Sequence, residues 1–184
     1  MKLILGSQSE RRRTLLSQVG LEYEVVIPNA DEDLITSTHP ETKVIETAKL
    51  KASMLNLDDD SVILTCDTVV SFNDKIFEKP DTIDEARQMI TALSGSTHEV
   101  YSAAILKSRD FEEIISDCTR VTFYTLTAEE IEDYVHSDEP YDKAGGYGIQ
   151  SFGAVFVKEI QGDYNTVVGL PLSKVYRALK KYSL

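Results

Sequence analysis

The stretch SVILTCDTVVSF, residues 61 to 72, decides how the rest of the chain is read. It is almost continuously apolar and β-branched, the pattern of a strand covered on both faces. Strands of that kind belong to α/β folds, in which helices flank the sheet. One residue breaks the pattern. An ionised Asp67 is costly in a buried strand unless it is paired, hydrogen-bonded or bound to a cation. As a structural residue it would salt-bridge an arginine or mark a strand end; as a functional one it is a metal ligand or a general base. The phosphatase pattern of two aspartates two residues apart is excluded, because Val69 stands at the second position.

Outward from this strand, helices and strands alternate. Leu3 to Leu5 reads as a short buried strand, Glu10 to Val19 as a helix closed by Gly20, and Tyr23 to Ile27 as a second strand. Val44, Ile45, Ala48, Ala52 and Leu55 form one apolar stripe on a helix from Glu41 to Leu55. Thr82 with Glu85 has capping-box spacing, and the helix it opens buries Ile83, Ala86, Ile90 and Leu93 before Gly95 ends it. Glu99 to Lys107 and Ile114 to Thr125 form a hairpin around Ser108-Arg109-Asp110. A second capping box, Thr127 with Glu130, opens a helix to about His136. After a glycine-rich loop come strands near Ala154 to Ile160 and Asn165 to Val168. A last helix follows, with Pro171 in its first turn and Leu172, Val175, Tyr176 and Leu179 on its apolar face. The expected fold is α/β with a mixed sheet, in a single domain over residues 1–184.

Composition narrows the function classes. With 31 Asp and Glu against 19 Lys and Arg, the net charge of −12 argues against a general nucleic-acid binder and against an anionic membrane surface. A polyanionic small substrate would need a local basic pocket and a metal ion. Cys66 and Cys118 both lie in strand-like runs and are expected to be buried free thiols. The only apolar run near the start, Leu3 to Leu5, is too short for a signal peptide, and no stretch has the ~20 apolar residues of a membrane span. A cytoplasmic location is expected.

Local basic groups are present in LILGSQSERRRTLL, residues 3 to 16. A strand-to-helix turn aims backbone N–H groups and the positive end of the helix dipole at one spot, which suits an anion. Ser7 and Ser9 add hydroxyls, and Arg11 and Arg12 add multidentate donors. Successive helical residues fan out by about 100°, so Arg13 is expected to be solvated. The acidic turn Asp31-Glu32-Asp33 carries hard oxygens suited to Mg²⁺ or Mn²⁺. Lys49 and Lys51 both flank the helical stripe, and periodicity does not choose between them; Lys79 sits at a strand exit. His39, His98 and His136 have no metal-ligand spacing, so zinc has no support. DKAGGYGIQ, residues 142 to 150, allows close backbone approach to a ligand, with Gln150 bringing one donor and one acceptor. It is a poor dinucleotide fingerprint, and Walker A and Gly-x-Ser-x-Gly sequences are absent.

Taken in order, Ser7-Gln8-Ser9-x-Arg11-Arg12, Glu32, Lys51-Ala52, Asp67-Thr68, Lys79-Pro80, Leu93-Ser94-Gly95, Asp142-Lys143-Ala144-Gly145, Tyr147-Gly148-Ile149-Gln150, Gly162-Asp163 and Gly169-Leu170-Pro171 make a series that resembles the Maf family of nucleoside triphosphate pyrophosphatases, first linked to septum formation. The resemblance implies an elongated mixed sheet with flanking helices, the inosine triphosphatase-like (HAM1) fold, with two lobes around a nucleotide cleft. It implies hydrolysis of a nucleoside triphosphate between the α- and β-phosphates, assisted by Mg²⁺ or Mn²⁺. Asp67 would be the proton acceptor, and Ser9, Arg11, Arg12, Lys51 and Lys79 would line the triphosphate, with Ser7 beside them. Glu32 and Asp67 would be the metal ligands. Arg12, Thr68 and Gln150 match the specificity positions of the branch acting on dTTP and UTP. Removal of non-standard nucleotides, an influence on cell division and homodimerisation belong to the same set of expectations. Two departures are expected to matter: Glu10, usually proline, adds negative charge beside the anion site, and Ser151, usually glycine, restricts the backbone after Gln150. A non-catalytic nucleotide sensor and a hydrolase releasing inorganic phosphate are the competing readings.

Overall fold

The computed structural model describes residues 1–182. Seven strands form one mixed sheet in the order β2-β1-β3-β5-β6-β7, with β4 paired to β3. β1 (Lys2–Gly6) runs parallel to β2 (Glu24–Val25) and to β3 (Ser61–Phe72). β5 (Thr97–Lys107) and β6 (Glu112–Phe123) are neighbours, and β7 (Val157–Gln161) runs antiparallel to β6. The described residues divide into two compact units: residues 1–68, 102–117 and 169–182 form the first, and residues 69–101 and 118–168 the second.

In the first unit the sequence logic of β3 holds. Its first six residues are all buried, and Ile63 pairs in register with Ile4 of β1. α2 (Pro40–Ser53) lays Ala48 and Ala52 against Ile4, Ile63 and Ile105, with Leu55 and Leu57 packed at the edge. Two alanines at this contact let the helix backbone approach closely enough for Thr65 Oγ1 to donate to the Ala48 carbonyl at 2.7 Å inside the core. α1 (Glu10–Gln18) starts at Ser9, whose hydroxyl accepts from the Arg12 amide. α6 (Leu172–Lys181) buries Leu172, Val175, Ala178 and Leu179, while Tyr176 lies only partly inside.

The second unit is built around β4 (Lys75–Phe77), α3 (Ile83–Leu93) and α4 (Ala128–Val135). Both helices start on the threonines read from sequence, a kind of cap worth about 1 kcal/mol each. The Thr127–Glu130 box is complete; at Thr82 only half forms, because Glu85 accepts from the Asp81 amide instead. Arg87 of α3 holds Glu132 of α4 through Nη2 at 3.0 Å.

Several expectations are corrected. The second strand is only Glu24–Val25, because that edge is solvent-exposed and gains little from longer pairing. Ile83 is 42% exposed, since it opens α3 ahead of the turn that packs. Residues 165–168 are helical, not a strand: α5 (Tyr164–Val168) begins where Asp163 accepts from the Asn165 amide, a local turn that overrides the β-branched run. Residues 152–156 are a 3₁₀ turn, so the strand expected from Ala154 starts only at Val157. Cys66 is buried and free as expected, but Cys118 is exposed: it shares the outward parity of Ile114 and Arg120 along β6. Among the described residues no helix is long and apolar enough to cross a membrane.

Candidate active site

Thr65 and Asp67 lie two apart on β3 and therefore share a face, the one that α2 covers. The Thr65 hydrogen bond fixes Ala48, and Lys51 follows one turn later on the same helix. Lys51 Nζ thus reaches Asp67 Oδ1 at 2.9 Å and Glu32 Oε2 at 3.1 Å. Geometry makes the choice that periodicity left open: Lys49 points outward to Glu112, whereas the Lys51 side chain is only 13% exposed. Glu32 arrives from a short 3₁₀ turn, Glu32–Leu34, and remains more than half exposed.

Asp67 titrates above the ordinary aspartate range. Burial is the main cause; the Lys51 ammonium and Arg12 oppose it, and Glu32 adds to it. Neighbouring Cys66 is pushed up to about 11 by its burial, which leaves it a poor nucleophile at neutral pH.

Alternation along β3 turns Thr68 to the opposite side, where a second cluster forms. Three of the five N–H donors of Arg12 are used there: Nε donates to the Gly169 carbonyl at 2.9 Å, Nη1 to Ser7 Oγ at 3.1 Å, and Nη2 to Thr68 Oγ1 at 3.3 Å. Thr68 Oγ1 also pairs with buried Ser102 Oγ at 2.8 Å. The structure thus brings Ser7, Arg12 and Thr68 together, on a scaffold that includes Ser102. A lone small polar residue in YSAAIL was its only signal in the sequence.

Ser9 caps α1, and Arg11 lies half-buried in its first turn. Arg13 is not simply solvated: Nη1 donates to Glu10 Oε1 at 2.7 Å. That pairing partly neutralises the Glu10 carboxylate, the departure that had threatened the anion site. Lys79 and Gln150 belong to the second unit and are both exposed. Ser151 has φ −123°, open to any residue, so it imposes no backbone strain.

Among the described residues no three His, Cys, Asp or Glu side chains gather as a metal cage. Glu32 and Asp67 nevertheless converge on one cationic nitrogen. Two hard carboxylates fit a divalent ion that takes its remaining oxygens from phosphates and water.

These observations first define a class. The fold is shared with a HAM1 protein from Coxiella burnetii, at TM-score 0.55 and 14% identity over 98% of this chain and 99% of that one. A family model described as Maf-like protein matches residues 2–182, and the chain belongs to the Maf family. It is 42% identical over 184 residues to a dTTP/UTP pyrophosphatase of Bacillus cereus (strain G9842), covering 100% of this chain and 96% of that protein. A dTTP/UTP pyrophosphatase of Bacillus anthracis matches to the same extent.

Proposed function

We propose that this chain hydrolyses dTTP and UTP between the α- and β-phosphates, releasing the nucleoside monophosphate and pyrophosphate. The observation that carries the reading is Asp67: a carboxylate in the central strand with only 14% of its side chain exposed, held by Lys51 and titrating high, as a group that must take up a proton should. Full-length similarity to dTTP/UTP pyrophosphatases supports the substrate class.

In this reading Asp67 accepts the proton of the water that attacks the α-phosphorus. Lys51, beside it, then faces the charge that develops on the phosphoryl oxygens and stabilises it more in the transition state than in the substrate. Arg11, Arg12, Ser7, Ser9 and Lys79 bind the triphosphate. Arg12 does so from a fixed position, because its hydrogen bonds to Gly169, Ser7 and Thr68 set its orientation before substrate arrives. Glu32 and Asp67 would hold Mg²⁺ or Mn²⁺, which when bound supplies electrostatic stabilisation and a more acidic water. Gln150 offers an acceptor for the N3–H of uracil or thymine and a donor for a ring carbonyl. The reading extends to a cytoplasmic enzyme, a homodimer, that removes non-standard nucleotides and influences division.

The test is product release from dTTP, UTP, CTP, ATP, GTP and 7-methyl-GTP with Mg²⁺ or Mn²⁺. Pyrophosphate from dTTP and UTP alone is the expected result. Inorganic phosphate as the first product would identify a different hydrolase, and binding without turnover would identify a sensor.

A further inference from the structure

Gln150 sits at the exposed tip of a tight loop, and nothing in its own side chain explains how that tip is held. The loop closes on itself between Gly148 and Gly153: a Cβ on Gly153 would lie 2.7 Å from the Gly148 carbonyl oxygen, a distance no real side chain tolerates. Both limbs are tied to one carboxylate that the catalytic reading does not use. Glu139 Oε1 accepts from Ser151 Oγ at 2.6 Å and from the Gly153 amide at 3.1 Å, and Oε2 accepts from the Phe152 amide at 3.1 Å. Those three donors are consecutive residues on the limb after Gln150. The limb before it is tied through Tyr134, whose hydroxyl donates to Glu139 Oε1 at 3.1 Å and accepts from the Gly148 amide at 3.3 Å. Tyr134 is itself buried on α4, with Phe152 stacked beside it and Phe156 edge-on.

We infer that Glu139, with Tyr134, is the positioning device that holds Gln150 where it can read the base, and that Ser151 is an added strut of it. The chemistry requires a carboxylate, because all four partners donate. A glutamine would turn an N–H₂ donor toward at least one of them. Glycine at 151 would lack the hydroxyl that makes the shortest bond of the set. This inference rests on the proposed role of Gln150 and names what that role depends on.

The test compares wild type with E139Q, S151A, Q150A and the double variant E139Q/Q150A. Each is assayed for kcat and KM on dTTP, UTP and CTP. Each is also followed by amide hydrogen exchange across residues 148–153. E139Q is expected to raise KM for dTTP and UTP by about tenfold, because it disturbs hydrogen bonds to a charged group, and to leave kcat nearly unchanged. It should erode discrimination against CTP toward the level of Q150A, and the double variant should be no worse than Q150A alone. Amides 152 and 153, which donate to Glu139, should exchange faster in E139Q, and S151A should shift the same readouts the same way by about threefold, which preserves the test if E139Q folds poorly. Effects of E139Q and Q150A that simply add, or unchanged exchange at residues 152 and 153, would overturn the inference. A wild type that turns over no pyrimidine triphosphate would overturn the proposed function instead, while the exchange measurement still decides whether Glu139 holds the loop.

Discussion

Two carboxylates in this protein are moved in opposite directions, and each direction suits its work. Asp67 lies in the interior strand of the first unit with Lys51 as its hydrogen-bonding partner, and burial outweighs that ion pair to raise its pKa. Burial acts on Glu139 in the second unit as well, but hydrogen bonds from Ser151, Gly153, Tyr134 and Phe152 outweigh it and hold Glu139 below the ordinary glutamate range. A group poised to take a proton needs a titration point drawn toward working pH. A group that only anchors neighbours is best kept charged throughout. The number of donors aimed at the carboxylate separates the two cases.

The largest effect is expected at Lys51. K51M leaves the Asp67 carboxylate buried without its ammonium, and about 3 kcal/mol of stability should be lost in urea unfolding at neutral pH. Adding D67N to K51M should recover part of it, since no charge is then stranded. A K51M protein as stable as wild type would show that Asp67 is not held as an ion in the folded state.

His98 is a third buried titratable group, one with no charged partner. Its Nε2 meets Tyr147 Oη at 2.8 Å, Nδ1 has no hydrogen-bond partner, and burial lowers its pKa to about 4 from 6.5. The unfolded chain therefore binds a proton near pH 6.5 that the folded chain refuses until about pH 4. Stability is full above that window and falls as pH is lowered through it, by up to about 3 kcal/mol. H98F/Y147F, which removes the imidazole and the hydroxyl it meets together, should flatten the slope between those pH values. A slope that survives would belong to other groups.

The smallest effect is expected at Thr65. T65V deletes the 2.7 Å bond to Ala48 without changing shape, at a cost of about 1 kcal/mol. The carbonyl keeps its helical partner, so the informative change is a lower kcat from a less well placed Lys51. An unchanged kcat with lowered stability would reduce Thr65 to packing.

What the sequence made legible follows from periodicity and local chemistry. β3 was readable residue for residue, because a strand covered on both faces leaves an unbroken apolar run; Asp67 stood out because a charge in that run needs a reason. Helix starts at Thr82 and Thr127 were readable because caps act over three residues. At residues 165–168 the β-branched content points to a strand, but the Asp163 side chain that starts a turn outweighs it. The hairpin's apolar content hides the exposure of Cys118, which only the alternation along β6 puts outside. Lys51 could be chosen over Lys49 only once a fold brought Glu32 and Asp67 to it, and Glu139 could be found only when a loop twelve residues away closed on it. Sequence exposes which residues are out of place locally; it does not expose which partners distant segments will supply.

The most direct test of the central claim is D67N, with turnover of dTTP and nucleotide binding measured on the same folded sample. Pyrophosphate release should fall by about a thousandfold while binding stays measurable, as expected for loss of a proton acceptor. Retention of more than about a tenth of the wild-type rate would contradict it, since removing a general base costs at least a hundredfold.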